Sequence, residues 1–354
     1  MAVKKISGLA LLVAVVISVQ AVTQLTGTSY YLTQLTMTIY SCLLIVGLCL
    51  VMGYAGQISL GHAGFFAIGG YTSASLTTFN LLPALEGGSR CVELLDRLGL
   101  LATSTSMYGE PLLLVEPWVG FILAMAITAL IAFLIGIPVL KLKGHYLAMA
   151  TLGFGIIIYR IVLAMAFFGE ADGIADVPGF TLLPGLTITG DIAHRVANYY
   201  IAAAVLVIGF ALLLNLIDSR VGRALRAIHG AEDAANAMGI DTARYKLYTF
   251  VLSAVFAAIA GVFLTHYAGG ISPSDAGVMK SVRYVAIVAI GGMANLWGAL
   301  AMGGILNFLS LRGLFGSYDD AVFGAILIII MLFAPEGVLR LRLWSLLKRN
   351  REKS

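Results

Sequence analysis

The sequence predicts an all-α, polytopic helical membrane protein, and three observations carry that prediction. Hydrophobic residues fill 60% of the 354 positions and charged residues only 11%, where a soluble domain carries about 25% charged residues. Mean hydropathy is +0.96. The apolar residues are also gathered into runs, near 7–24, 36–53, 57–79, 113–139, 146–168, 198–217, 247–267, 282–311 and 321–337, and a membrane helix needs about 20 such residues. The net charge of +4 is small and gives no reason to expect a nucleic-acid partner. Cys42, Cys49 and Cys91 do not make a disulfide framework, and the first two sit in an apolar run as packing residues.

The first run, in MAVKKISGLALLVAVVISVQA, has the basic start, apolar middle and small-residue end of a signal peptide. Because many spans follow, it is read as a retained first helix. Lys4 and Lys5 place the N-terminus in the cytoplasm by the positive-inside rule. Parity then puts 80–112 and the acidic loop 169–197 outside. It puts Lys141 and Lys143 inside, together with 218–246 and its Arg220, Arg223, Arg226, Arg244 and Lys246. Nine spans would leave the basic tail 338–354 outside. The run 282–311 is long for one helix and carries GGMANLWG at 291–298, so it is divided into two short helices. Ten transmembrane segments, some short or broken, then return the C-terminus to the cytoplasm. Short, Gly-interrupted segments are tolerated at membrane depth where protein or a cavity covers the backbone.

The third run overlaps GYAGQISLGHAGFFAIGGYTSASL, 53–76, which holds six glycines and no charge besides His62. Lipid supplies little hydrophobic drive between helices, so close backbone approach must supply it. Ser59, Ala63 and Ala67 make one small-residue ridge, Gly70, Ala74 and Thr78 another, with Ser253, Ala257 and Gly261 as a matching surface. The room beside Gly61 and Gly64, and the polar Ser59 and His62, place this stretch on a translocation pathway. Arg160, inside GIIIYRIVLAMAFF, is an intramembrane charge. It is either a pathway residue or a snorkelling arginine.

The inside loop 218–246 reads DSRVGRALRAIHGAEDAANAMGIDTARYK. Helix propensity is high over 224–238, Gly230 interrupts it and Gly239 suits its end. Ala231, Ala234, Ala235 and Met238 would share one small apolar face. Such a helix is a docking element for a cytosolic partner or an amphipathic connector on the membrane surface.

Glu232, Ala234, Ala235 and Gly239 form E-x-A-A-x-x-x-G, which resembles the coupling-loop pattern of ABC importer permeases. SRVGRALRAI and AMGIDTARYKL around it are similar to the permeases for branched-chain amino acids. So are GQISLGHAGFFAIGGY (56–71), LKGHYLAMATLGFG (142–155), ISPSDAG (271–277) and AIGGMANLWGALAMGGIL (289–306). The chain departs from the pattern at His229, Gly230 and Ala231, where arginine and acidic residues are common, at Asp233, and at Ile156, where a glutamate is common.

The resemblance implies a single transmembrane permease domain over 1–354 in a bacterial inner membrane, bathed in lipid. It also implies a homologous second permease, two cytosolic ATPases docked at Glu232, Ala234, Ala235 and Gly239, and a periplasmic amino-acid-binding protein. Gly153 and Gly155 join Ser59, Gly61, His62, Gly64 and Arg160 on the implied pathway. The chain is not expected to be an enzyme: no lysine follows a glycine, so no phosphate-binding G-x-x-x-x-G-K-[ST] occurs. No cofactor is expected in this chain, ATP being used by the partner subunits. Leucine, isoleucine and valine are the expected substrates, with other amino acids, amides and urea left open. An ion-coupled secondary transporter is the rival, and it normally needs a coupling acid deep in the spans. The acids of this sequence fall in loops or, as Asp218 does, at an interface.

Overall fold

Lipid offers no hydrogen-bond partners, so an apolar run must close its own backbone bonds, and a helix does so within one segment. The computed structural model describes residues 2–333, except 89, 98, 106–110, 184 and 314–315. The basic tail 338–354 lies outside the described residues. The elements are α1 (Ala2–Leu25), α2 (Tyr31–Cys49, continued by a π turn over Leu50–Tyr54), α3 (His62–Thr78), and the short α4 (Leu82–Glu86) and α5 (Arg90–Arg97). A hairpin of β1 (Leu101–Thr105) and β2 (Pro111–Val115) leads to α6 (Pro117–Val139) and α7 (His145–Ala164). A second hairpin, β3 (Phe180–Leu183) with β4 (Leu186–Ile188), precedes α8 (Arg195–Asp218), α9 (Arg220–Gly230) and α10 (Glu232–Ala237). The chain continues through α11 (Thr242–Ala268), α12 (Val278–Gly291), α13 (Leu296–Leu311) and α14 (Asp319–Phe333).

Among the described residues, six helices are long and apolar enough to cross a membrane: α1, α2, α6, α7, α8 and α11. The apolar α3, α12 and α13 have only 17, 14 and 16 residues, and α14 has 15 described residues. These ten match the ten expected segments. The division of 282–311 falls at 292–295, where the Asn295 side chain caps α13 by accepting from the Gly298 N–H at 3.2 Å. Two expected boundaries are corrected. The run 57–79 is helical only from His62, because 55–61 is an irregular segment in which Gln57, Ser59 and Gly61 are buried and Gly56 and Ile58 are exposed. The run 113–139 begins as β2, and its helix starts at Pro117, where the missing N–H costs nothing.

Helix α2 lies at the centre, surrounded by α8, α11 and α13, whereas α1 is peripheral. Helices α2 and α11 run antiparallel: Gly47 lies against Phe256, and the Tyr40 ring against those of Phe263 and Tyr267. Helix α3 runs in the direction of α11, with His62 meeting Ser253 and Ser73 meeting His266. The α2–α3 turn and the α11–α12 turn therefore sit at opposite ends of the bundle.

Those turns are copies of one another. AGQISLGHAG (55–64) and AGGISPSDAG (268–277) are identical at six of ten positions. Gly56 and Gly269 take left-handed φ of 67° and 71°. Each turn also pairs its serine with the residue three on: Ser59 Oγ with His62 Nδ1 at 3.0 Å, and Ser272 Oγ with Asp275 at 3.3 Å. The surroundings repeat as well. Helix α3 packs on α6 and α7, and α6 crosses α11; α12 packs on α13 and α14, and α13 crosses α2. The core is thus two four-helix repeats of opposite direction, an arrangement seen where a solute must pass between two halves.

Candidate functional site

Three places carry polar chemistry: the α9–α10 segment, the 55–61 turn beside it, and the turn at the far end. Helix α9 starts at Ser219, whose hydroxyl accepts from the Val221 N–H at 3.1 Å. Ala231 is extended and separates α9 from α10, and Gly239 ends the segment with φ of 82°. The helix–break–helix order and the role of Gly239 follow the expectation. The single apolar face does not form. Helix α10 stops at Ala237, so Met238 leaves its surface and is 81% exposed. Ala234 is exposed, whereas Ala235 is buried against the core. Glu232 pairs with Lys246 of α11 rather than projecting outward. Thr242 donates to Asn236 Oδ1 at 2.9 Å, a second tie between α10 and α11.

The last turn of α9 touches the 55–61 turn. A β-carbon on Gly56 would lie 2.8 Å from His229 Nδ1. Beside this contact is a cavity of about 240 Å³ lined by Gln57, Lys143, His229, Glu232 and Lys246. Gln57 is 2% exposed, and neither atom of its side-chain amide has a hydrogen-bond partner. Buried polar groups are nearly always hydrogen-bonded, so this amide stands out among the residues that line the cavity.

The expected pathway residues separate into two groups. Ser59, Gly61, His62, Gly64 and Gly155 lie in a tight seam. His62 sits between the Ser59 and Ser253 hydroxyls, at 3.0 and 2.7 Å, and is 1% exposed. The Leu60 N–H donates to Thr151 Oγ1 at 3.0 Å, and a β-carbon on Gly61 would lie 2.7 Å from the Thr151 carbonyl oxygen. Gly64 and Gly155 face each other across the same contact. Gly153 and Arg160 lie on the other side of α7: Gly153 has nothing within 4 Å of a built β-carbon, and Arg160 is exposed.

The far end holds a charged cluster that the sequence reading, with Arg160 as its intramembrane charge, does not single out. A cavity of about 250 Å³ is lined by Met37, Phe66, Leu264, Asp275, Lys280 and Arg283, among others. Asp275 caps its turn by accepting from the Ser272 N–H at 3.0 Å, and pairs with Lys280. Arg283 donates to Ser310 Oγ at 3.1 Å and lies over the Phe323 ring, 4.8 Å from its centre. The signal was present: Lys280 and Arg283 flank the start of the run at 282, and Asp275 is in ISPSDAG.

The loop between α7 and α8 closes over the same end. Ile174 pairs with Ile271, and Phe180 of β3 packs against Trp118, Phe121 and Phe263. His266 joins this loop to α3. The Pro178 carbonyl can only accept, so Nδ1 of the neutral ring donates to it at 2.7 Å, and Nε2 accepts from the Ser73 hydroxyl at 2.8 Å. His266→Leu removes both bonds and leaves the buried Ser73 hydroxyl without this partner, at about 1–3 kcal/mol for such a group. It is expected to lower the thermal midpoint of the detergent-solubilised protein, and His266→Gln, which can donate, to lower it less.

Comparison with known proteins agrees with this architecture. A family model for the permease component of branched-chain amino acid transport systems matches residues 30–331. LivM of Salmonella typhimurium, a high-affinity branched-chain amino acid transport system permease protein, is 30% identical over 326 residues, covering 86% of this chain and 68% of that protein. LivH of Escherichia coli, with the same description, is 28% identical over 306 residues, covering 84% and 90%. BraD of Pseudomonas aeruginosa is 26% identical over 322 residues, covering 88% and 96%. No solved structure matches. The family match runs from the start of α2 into α14 and so takes in both inverted repeats, the α9–α10 segment and the far-end cavity; the chain belongs to the family of branched-chain amino acid transport permeases.

Proposed function

We propose that this chain is the membrane-spanning permease subunit of an ABC importer that moves branched-chain amino acids, or closely related small solutes, into the cytoplasm. It works with a homologous second permease, two cytosolic ATPases and a periplasmic amino-acid-binding protein, in a bacterial inner membrane. Both termini are cytoplasmic, because the basic clusters and the ten-helix parity agree on that side. The chain needs no cofactor of its own and hydrolyses no ATP; the ATPases use it.

The observation that carries this reading is the position of α10. It is an exposed turn of helix at one end of the bundle, tied by Glu232–Lys246 to α11, the span that packs along α3. A partner that pulls on α10 therefore pulls on the interface between the two repeats. Ala234, Met238 and Gly239 offer the exposed surface, while Glu232 and Ala235 fix the segment to the core. Relatives named as branched-chain amino acid permeases support the substrate.

The test is uptake of labelled leucine into vesicles holding the assembled system. ATP-dependent, vanadate-sensitive uptake that needs the ATPases is expected; uptake driven by an ion gradient without them would establish the secondary transporter instead. Gly239→Leu sharpens it. The left-handed φ of 82° costs a leucine about 1–2 kcal/mol, and nothing lies within 4 Å of the β-carbon. The permease should fold while losing ATPase binding in pull-down and ATP-driven uptake. Unchanged uptake and assembly would remove Gly239 from the docking surface.

A further inference from the structure

The two repeats differ most where the far-end cavity lies. Aligning AGQISLGHAG with AGGISPSDAG sets Lys280 on Ala67, Arg283 on Gly70 and Tyr284 on Tyr71. In the first repeat those positions are packing. Ala67 is fully buried, and a β-carbon on Gly70 would lie 2.5 Å from Ile271 and 2.6 Å from Thr265. In the second repeat two of these positions, Lys280 and Arg283, are cations on the wall of a cavity. Arg283 falls inside the apolar run 282–311 and Lys280 just before it, and a charge within such a run marks function by default.

We propose that this cavity is a subsite for the zwitterionic headgroup of a free amino acid. The α-carboxylate lies toward Lys280 and Arg283, the α-ammonium toward Asp275, and the apolar side chain toward Met37, Phe66 and Leu264. This deepens the permease reading and rests on it. The chemistry selects a zwitterion over the uncharged amides and urea: the wall carries both signs of charge, the cations Lys280 and Arg283 on the first two turns of α12 and the anion Asp275 on the turn before it. Arg283 is held in orientation by Ser310 and the Phe323 ring, which suits a planar guanidinium to a carboxylate. The Asp275–Lys280 pair is reachable, with side chains 22% and 39% exposed, so a zwitterion can exchange with it ion for ion. The volume, about 250 Å³, falls just under the roughly 300–1,000 Å³ of drug-sized ligand sites, a scale that suits one small amino acid.

The experiment uses the complete transporter in proteoliposomes and reads labelled leucine taken up per ATP hydrolysed. Wild type must first transport leucine; if it does not, the permease reading fails and not this one. Lys280→Met and Arg283→Met are each expected to lower uptake per ATP by about tenfold or more, the loss set by one charge-assisted contact. Stimulation of ATP hydrolysis by the loaded binding protein should persist in both. The exchanged pair Asp275→Lys with Lys280→Asp keeps an ion pair but sets a carboxylate on the helix turn that carries Arg283, and should remain defective. Wild-type uptake per ATP in both methionine variants, or its restoration by the exchanged pair, overturns the proposal, since the pair would then be only a structural tie.

Discussion

Gly261→Leu is expected to prevent assembly of the helical bundle. A β-carbon on Gly261 of α11 would lie 2.1 Å from the Phe66 carbonyl oxygen and 3.1 Å from the Gly70 nitrogen, and one on Gly69 would lie 2.6 Å from the Ala258 Cα. These neighbours are backbone, so no rotamer change relieves the contact; the two helices must separate. Separation removes the close packing on which helix association in lipid depends. Overpacking a core by a methylene or two costs about 1–3 kcal/mol, and here a whole side chain meets main chain, against a total stability of about 5–15 kcal/mol. The measurement is yield of monodisperse protein after solubilisation, with its thermal midpoint. Gly304→Leu on α13 is the control, because nothing lies within 4 Å of its β-carbon. Equal yield and midpoint for Gly261→Leu and Gly304→Leu would mean that α3 and α11 are not in backbone contact.

That crossing was partly legible in the sequence, and so was the frame around it. Burial in lipid dictates composition, so the spans stood out as runs, and the basic clusters forced the extra break at GGMANLWG. The small-residue ridges on α3 and α11 were also readable, but their register was not: the pairs are His62 with Ser253, Gly69 with Ala258 and Gly70 with Gly261. Ser59 sits on no ridge because α3 begins at His62. An irregular segment that lies partly under protein can be as apolar as a helix, so hydropathy could not find the boundary. The far-end site was missed for a different reason. No single block shows it, and the meaning of Lys280 and Arg283 emerges when AGGISPSDAG is laid over AGQISLGHAG. The importance of Gly56 and Gln57 was beyond sequence reasoning altogether, since it depends on His229 and Lys246 arriving from far along the chain.

Gly56→Ala is expected to uncouple transport from ATP hydrolysis while leaving the complex assembled. Gly56 has a φ of 67°, where an alanine costs about 1–2 kcal/mol, well below the stability of a folded protein. Its new β-carbon would meet His229 Nδ1 at 2.8 Å, so α9 and the 55–61 turn could no longer approach as they do now. If motion of α10 reaches the repeats through this contact, leucine uptake per ATP should fall about tenfold, the effect of roughly 1.4 kcal/mol on the closed arrangement. Removing the ring by His229→Ala in the same chain should restore part of the loss, a coupling that a double-mutant cycle measures. The internal repeat supplies the control. Gly269→Ala imposes the same left-handed strain, φ 71°, at the opposite end, with nothing within 4 Å of the added carbon. If both alanine variants lose coupling equally, backbone strain is the cause and His229 carries no signal. A loss confined to Gly56→Ala and relieved by His229→Ala assigns transmission to the contact between α9 and the turn.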